Sequence, residues 1–420
     1  FGMHSIALTT GLLEIDPFVG STLVDMYAKC GFFDEAQKVL YILPVRDVVS
    51  WTALITGYVE QGYGKEALDC VKQMQLERVS PNVVTYICML KACTIIGSLS
   101  QVEEINADAH QNGMLERHSF LGSALVDIYA KCGSIALAQQ AFNEILVQDT
   151  VSWTAMITSF YEHQSFENAL RFFEQMIMEG VLPSATTFVC IMKACGSLGD
   201  TMKSQIIHIL IESQGLVQSN PVVDSTLVGM YAKCGSLMIA RDVFDKLPIR
   251  NLVAWNVLIS GYTEHGQIHE VMNCFEQMQS EGIFPNEVTL ISMLKACGNT
   301  GAIGKGKQIH DEIMRRHLVT RGVMLGTALI DMYAKCGMLV KAQQMLDELP
   351  IRNVVSWNAL ITGYSQEGQY DQALSSFRRM QIEGLVPDTI TFISILKACG
   401  SGRVVDKGKQ FHNEIVSRGL

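Results

Sequence analysis

In the segment DVVSWTALITGYVEQGYGKEAL that begins at Asp47, the apolar residues Trp51, Leu54, Ile55 and Tyr58 fall at i, i+3, i+4 and i+7. That spacing places all four on one face of a helix. Ala67, Leu68, Val71 and Met74 make a second such face, and Gly62 and Gly64 between them are expected to divide the segment into two helices. The second helix is expected to end at the VSP of residues 79–81. Proline cannot donate the next helical hydrogen bond and turns the residue before it away from helical geometry. Neither helix has enough apolar surface to fold alone, so each pair must stack on its neighbours.

The pattern returns at a fixed interval. Trp51, Trp153, Trp255 and Trp357 follow one another at 102 residues, as do Cys30, Cys132, Cys234 and Cys336 in the hexapeptides MYAKCG and IYAKCG. Within each period lie a 35-residue unit closing on Pro81, Pro183, Pro285 or Pro387, a 36-residue unit such as residues 286–321, and a 31-residue unit such as residues 322–352. An internal period overrides the two or three domains that such a length would otherwise suggest. The chain reads as one all-α array over residues 1–420. It comprises a partial 36-residue-type unit at 1–15, triplets of 31, 35 and 36 residues from 16, 118, 220 and 322, and a partial last unit at 388–420. Both ends fall inside a unit, which is expected of a segment of a longer protein.

The recurring MYAKCG reads as a helix end. Its tyrosine is expected to face inward, alanine and cysteine to admit a close helix neighbour, lysine to complement the helix dipole, and glycine to take the left-handed cap position. The twelve cysteines fall mostly in columns of the repeat, as side chains with a repeated packing role do. No CxxC occurs, so the usual zinc and thiol-exchange spacings are absent. No metal or cofactor site is expected, and a reducing compartment is.

Hydrophobic residues make up 48% of the chain. No apolar run approaches the ~18 residues of a membrane span, so no membrane partner is expected. Thirty-two basic against forty-two acidic residues leave a formal net charge of −10, the reverse of the basic footprint usual in nucleic-acid binders. Any nucleic-acid affinity is therefore expected to be modest, with a shallow salt dependence.

Helical hairpins of 35 residues alternating with 36- and 31-residue variants, and carrying VVSWTALITGY, LKAC and LVDMYAKCG, resemble the PLS class of plant pentatricopeptide repeat proteins. The resemblance covers essentially the whole chain. It implies a right-handed superhelical solenoid that binds single-stranded RNA in a mitochondrion or chloroplast, one base per repeat; such repeats are a standard example of a literal base code. It also implies that the array specifies a cytidine-to-uridine editing site. The resemblance further implies editing-complex accessory proteins as partners on the 36-residue units.

In that family the fifth residue of a unit and its last read the base, when each unit is counted from one residue after the starts given above, so that Asp47 is the last residue of its unit. The resemblance assigns these roles to Ser21 with Asp47, Thr52 with Asn82, Ser123 with Asp149, Thr154 with Ser184, Ser225 with Asn251, Asn256 with Asn286, Thr327 with Asn353, and Asn358 with Asp388. An ionised Asp only accepts, which suits the imino N–H of guanine or uracil. An Asn amide also donates, which suits the bare ring nitrogen of adenine or cytosine. In the family Ser or Thr at the fifth position goes with purines and Asn with pyrimidines. The implied preference, 5′ to 3′, is G, A, unread, G, weak purine, unread, A, C, unread, A, U, unread. The unread places are the 36-residue units, whose fifth residues Ile87, Val189, Ile291 and Ile393 cannot hydrogen-bond a base. By the same resemblance the second-position residues Phe18, Val49, Phe120, Val151, Val222, Val253, Met324 and Val355 wedge between bases; the alternative is that they pack at helix starts.

Two rival functions are weighed. A protein-binding helical scaffold of the tetratricopeptide kind shares the hairpin design, at a 34-residue period. It would not need Ser, Thr or Asn at one position and mostly Asp or Asn at another through eight units. An enzyme is not expected within this chain. PLS proteins often continue into a zinc deaminase marked by HxE and a later CxxC. HDE at residues 310–312 and HNE at 412–414 lack that CxxC. GAIGKGKQ at residues 301–308 matches GxxxxGK, but Gln replaces the metal-binding Ser or Thr and a helix is expected before it.

Overall fold

A computed structural model of the chain describes residues 17–316, 323–402 and 404–418. Every regular element among them is an α-helix. The expected partial unit at 1–15 and the unit starts at 16 and 322 lie outside the described residues.

The chain forms two compact units, Phe1–Leu198 and Gly199–Leu420. In the first, helical pairs run Pro17–Lys29 with Phe33–Ile42, Val48–Glu60 with Gly64–Leu76, Val83–Ile96 with Leu99–Gln111, Ser119–Lys131 with Ile135–Glu144, and Thr150–Glu162 with Phe166–Met178. The helix Ala185–Leu198 closes it. The second opens on Thr201–Ser213 and repeats the same succession with first helices at Pro221–Lys233, Leu252–Glu264, Glu287–Thr300, Val323–Lys335, Val354–Gln366 and Thr389–Ser401.

Within each unit, first helices pack against the first helices of the next pair, and the approach is close where the sequence carries small residues. A Cβ on Gly57 would lie 2.4 Å from that of Ala28, and the same holds for Gly261 on Ala232 at 2.5 Å and Gly363 on Ala334 at 2.8 Å. The four tryptophans are fully buried. Trp153 meets Phe142 edge-to-face at 4.7 Å and Trp255 meets Phe244 at 4.5 Å, a geometry that adds to the burial of both rings. Ion pairs join successive pairs of helices: Arg46 to Glu77 at 2.8 Å, Arg250 to Glu281 at 2.7 Å and Arg352 to Glu383 at 2.8 Å. Partly exposed, each contributes at most about 1 kcal/mol.

MYAKCG is a helix end. Tyr27, Tyr129, Tyr231 and Tyr333 are buried, and Gly31, Gly133, Gly235 and Gly337 take φ between +72° and +77°. The lysines do more than face a dipole: Lys29, Lys131 and Lys335 each pair with the aspartate four residues earlier, at 2.8, 2.6 and 2.7 Å. The cysteines divide. Cys93, Cys195, Cys297 and Cys399 are buried, whereas Cys30 is exposed and Cys132, Cys234 and Cys336 are half-buried, because a residue just past the last helical turn has left the packed face. All twelve are free thiols. Burial pushes Cys70 up to about 12 and Cys297 to about 11, which leaves them unreactive near neutral pH.

Two expected boundaries are corrected. Gly64 does not break a helix; it is the first residue of Gly64–Leu76. It is small because the backbone of Ala92 passes there, with Ala92 O only 2.7 Å from where its Cβ would sit. Proline does not stop the second helix either. That helix ends at Leu76, and Arg78 at φ +62° turns the chain out, as Gly180, Gly282 and Gly384 do in the later copies. The left-handed residue ends the helical ladder several residues before Pro81 is reached.

Candidate nucleic-acid interface

The last residue of each 31- and 35-residue unit is the N-cap of the next first helix. Asp47 accepts from Ser50 N at 2.9 Å, Asn82 from Thr85 N at 2.9 Å, Asp149 from Ser152 N at 2.9 Å and Asn251 from Ala254 N at 2.9 Å. Asn286 accepts from Thr289 N at 3.1 Å, Asn353 from Ser356 N at 2.8 Å and Asp388 from Thr391 N at 2.9 Å. Ser184 Oγ does the same for Thr187 N at 3.2 Å. Asp, Asn and Ser are the residues an N-cap favours, since a side-chain oxygen there satisfies an otherwise unpaired helix N–H. Capping uses Oδ1. It leaves an asparagine its amide nitrogen, a donor, and an aspartate its second oxygen, an acceptor. The double duty was overlooked in the sequence, although a polar residue directly before each apolar-periodic segment is its signal.

The fifth residues sit beside these caps in different ways. Ser123 Oγ donates to Asp149 Oδ1 at 3.0 Å. Asn256 Nδ2 donates to Asn286 Oδ1 at 3.2 Å, and Asn358 Nδ2 to Asp388 Oδ1 at 2.9 Å. Thr52 and Thr154 reach their partners through an intervening hydroxyl: Thr52 to Thr85 at 2.8 Å and Thr85 to Asn82 at 3.0 Å, then Thr154 to Thr187 at 2.7 Å and Thr187 to Ser184 at 2.9 Å. Ser21, Ser225 and Thr327 bond back to their own helix, at Phe18 O, Val222 O and Val323 O. Five of the eight are buried, Ser123 with 1% and Asn358 with 5% of its surface exposed, while Asn286 lies exposed. The cap residue is thus the more accessible member of that pair.

The second-position residues stand at helix starts with much of their surface in solvent. Phe18, Val49, Phe120, Val151, Val222, Val253, Met324 and Val355 are between 51% and 79% exposed, and Val84, Val288 and Ile390 continue the column in the 36-residue units. Scattered apolar exposure is ordinary; exposure repeated at one register of successive units is a stripe, and such stripes mark binding surfaces. In the first compact unit a cavity of about 380 Å³ opens where the stripe meets the caps, lined by Lys131, Val151, Thr154, Thr158, Glu162 and Ser184 among others.

In the 36-residue units Ile87, Val189 and Ile291 are half-buried and Ile393 is exposed. Lys233 differs from the other helix-end lysines because Gly229 stands where they have an aspartate. The decoy motifs resolve into structure. His310 is buried and bonds to Tyr333 Oη at 2.7 Å. Gly301 is a left-handed cap on Glu287–Thr300, so GAIGKGKQ follows a helix. Among the described residues no group of three or more His, Cys, Asp or Glu could hold a metal ion.

Stacked helical hairpins with one capped polar pair and one exposed apolar residue in each 31- and 35-residue unit define an α-helical repeat protein that presents a periodic surface. Comparison with known proteins specifies which. The PPR repeat family matches residues 46–94, 148–197, 250–299 and 352–401, and the PPR repeat matches 21–47 and 327–354, together more than half of the chain. The chain belongs to the pentatricopeptide repeat (PPR) family. It is 36% identical over 406 residues to a chloroplastic pentatricopeptide repeat-containing protein of Arabidopsis thaliana, covering 97% of this chain and 50% of that one. To a mitochondrial one from the same plant it is 35% identical over 403 residues, covering 96% and 58%. The chain therefore spans about half the length of these relatives. The crystal structure of PPR10 in complex with an 18-nt psaJ RNA element superposes with a TM-score of 0.78 at 19% identity, over 94% of this chain and 59% of that one; that of PPR10 from maize gives 0.60, also at 19% identity, over 96% and 64%. At that identity the likeness establishes the fold.

Proposed function

We propose that this chain binds single-stranded RNA along the face that carries the capped pairs, each pair reading one base while the apolar stripe separates neighbouring bases. The carrying observation is the cap chemistry. An N-cap Asn keeps a donor for the unprotonated ring nitrogen of adenine or cytosine, and an N-cap Asp keeps an acceptor for the N–H of guanine or uracil. The exposed second-position column supports the stacking role, because an apolar side chain held in water next to a polar pair gains by meeting a base face. PPR10, whose fold this chain shares, is described in complex with RNA.

The finer reading is a PLS-type array whose base string, G, A, unread, G, weak purine, unread, A, C, unread, A, U, unread, directs cytidine-to-uridine editing in a mitochondrion or chloroplast. Relatives named chloroplastic and mitochondrial support the location. Accessory proteins are assigned to the 36-residue units, whose fifth residues offer a base no hydrogen bond. Chemistry is assigned to none of the chain's own residues.

The test is a gel-shift with a synthetic RNA carrying the string and with variants changed at the base opposite Asn256 and Asn286. Asn286→Asp exchanges the donor for an acceptor and is expected to move preference there from C toward U. Identical rank orders for both proteins would refute the code. Equal affinity for the string and a scrambled RNA would refute sequence-specific binding and favour a protein-binding scaffold.

A further inference from the structure

A fully buried threonine stands at the third position of every 36-residue unit: Thr85, Thr187, Thr289 and Thr391. Each serves the local cap, its hydroxyl accepting the N-cap backbone N–H at 3.3, 3.0, 3.2 and 3.2 Å. Capping alone does not require it. Ser356, at the equivalent place in a 35-residue unit, accepts from Asn353 N at 3.1 Å and donates to Asn353 O at 2.8 Å. The threonines differ in reaching across to the fifth residue of the preceding unit, over 33 residues of chain.

Where that fifth residue is asparagine, proton accounting fixes its orientation. Thr289 Oγ1 has one proton, and its shortest contact is Asn256 Oδ1 at 2.6 Å, against 3.0 Å to Asn286 Oδ1. Asn286 Oδ1 already accepts from Thr289 N and from Asn256 Nδ2. The proton therefore serves Asn256, whose carbonyl is turned into the protein. Thr391 repeats the arrangement, 2.6 Å to Asn358 Oδ1 and 2.8 Å to Asp388 Oδ1. Each asparagine then spends one N–H on its cap partner and has one N–H left. A donor at that place suits the O2 carbonyl that cytosine and uracil share, and opposes the 2-amino group of guanine. Thr52 and Thr154 meet Thr85 and Thr187 hydroxyl to hydroxyl, a contact that works in either direction and imposes no such choice.

We propose that Thr289 and Thr391 are positioning residues for base choice: each holds the amide of the preceding unit's asparagine so that an N–H faces the base, and so sets a pyrimidine preference. Recognition in these units then involves three residues. The proposal rests on the RNA reading above.

The test compares Thr289→Val, which keeps the shape and removes the hydroxyl, with Thr289→Ser, which restores it. The probe is the synthetic RNA carrying the string, with C, U, A or G opposite Asn256 and, separately, opposite Asn358. For the unchanged protein a pyrimidine-over-purine preference of about tenfold is expected at both bases. Thr289→Val is expected to reduce it to about twofold opposite Asn256 only, and Thr289→Ser to retain it. A general loss of fold would weaken both bases alike. Should Thr289→Val fail to fold, Thr391→Val with Thr391→Ser makes the same comparison in reverse. A folded Thr→Val variant that keeps the full preference overturns the positioning role and leaves the RNA reading intact. Absence of base preference in the unchanged protein removes the RNA reading, and this proposal falls with it.

Discussion

Asn358 Nδ2 donates to Asp388 Oδ1 at 2.9 Å across 30 residues of chain. The carboxylate also accepts from Thr391 N and lies 2.8 Å from the Thr391 hydroxyl. Burial pushes the Asp388 carboxyl up, but the hydrogen bonds from Thr391, Asn358 and Ile390 outweigh it and hold the group below its usual 3.8. A depressed carboxylate contributes stability that is present above the unfolded value and is lost as pH falls through the folded one. Asp388 therefore stays ionised through mildly acid conditions. Base preference opposite it is expected to be the same at about pH 7 and about pH 5, measured by RNA binding at matched salt. A switch of preference at the lower pH would contradict an acceptor-only Asp388.

Two histidines also make the folded state less stable as pH falls, here because the folded state favours their neutral form. His208 bonds to Tyr231 Oη at 3.1 Å and His310 to Tyr333 Oη at 2.7 Å. Burial lowers both from the usual 6.5; Glu212 and Asp242 oppose this at His208, while Lys246 adds to it, and Lys341 adds to it at His310 against Asp311 and Glu348. The folded state prefers neutral imidazole, so stability is full above 6.5 and falls as pH drops toward the folded values. Asn106 fills the same column and bonds to Tyr129. His208→Asn with His310→Asn is therefore expected to flatten the fall in thermal midpoint between about pH 7.5 and about pH 5.5. Equal slopes in both proteins would show that the histidines do not carry it.

Arg78 and Gln164 hold left-handed backbone, φ +62° and +59°, where later copies have Gly180 and Gly266. A Cβ in that conformation costs about 1 kcal/mol. Arg78→Gly and Gln164→Gly are each expected to raise stability by about that amount, read as an upward shift in the denaturation midpoint. A downward shift would mean that contacts of the long side chains outweigh the strain.

Val253 is 57% exposed, so Val253→Ser removes little buried surface. Its stability cost is expected to stay within about 0.5 kcal/mol, while RNA affinity falls by about tenfold through lost contact with a base face. Unchanged affinity would remove the column from the binding surface.

The helical pairs were legible because the Trp51, Leu54, Ile55, Tyr58 face repeats undiminished through four periods, and periodic burial is a property of the chain. Helix ends were less so. The VSP proline drew attention away from Arg78, whose left-handed turn is unusual for arginine and becomes visible only in φ.

The order of apolar and polar residues by itself determined that this protein is a stack of helical hairpins, where each hairpin begins, and which polar residue stands before each first helix. Periodicity acts locally, through the geometry of a single helix. Only the tertiary structure decided that the caps Asn286 and Asp388 are neighbours of Asn256 and Asn358, and that Thr289 and Thr391 stand behind them. Those contacts span 30 residues or more, and the direction of a hydrogen bond depends on which donors and acceptors packing leaves within reach.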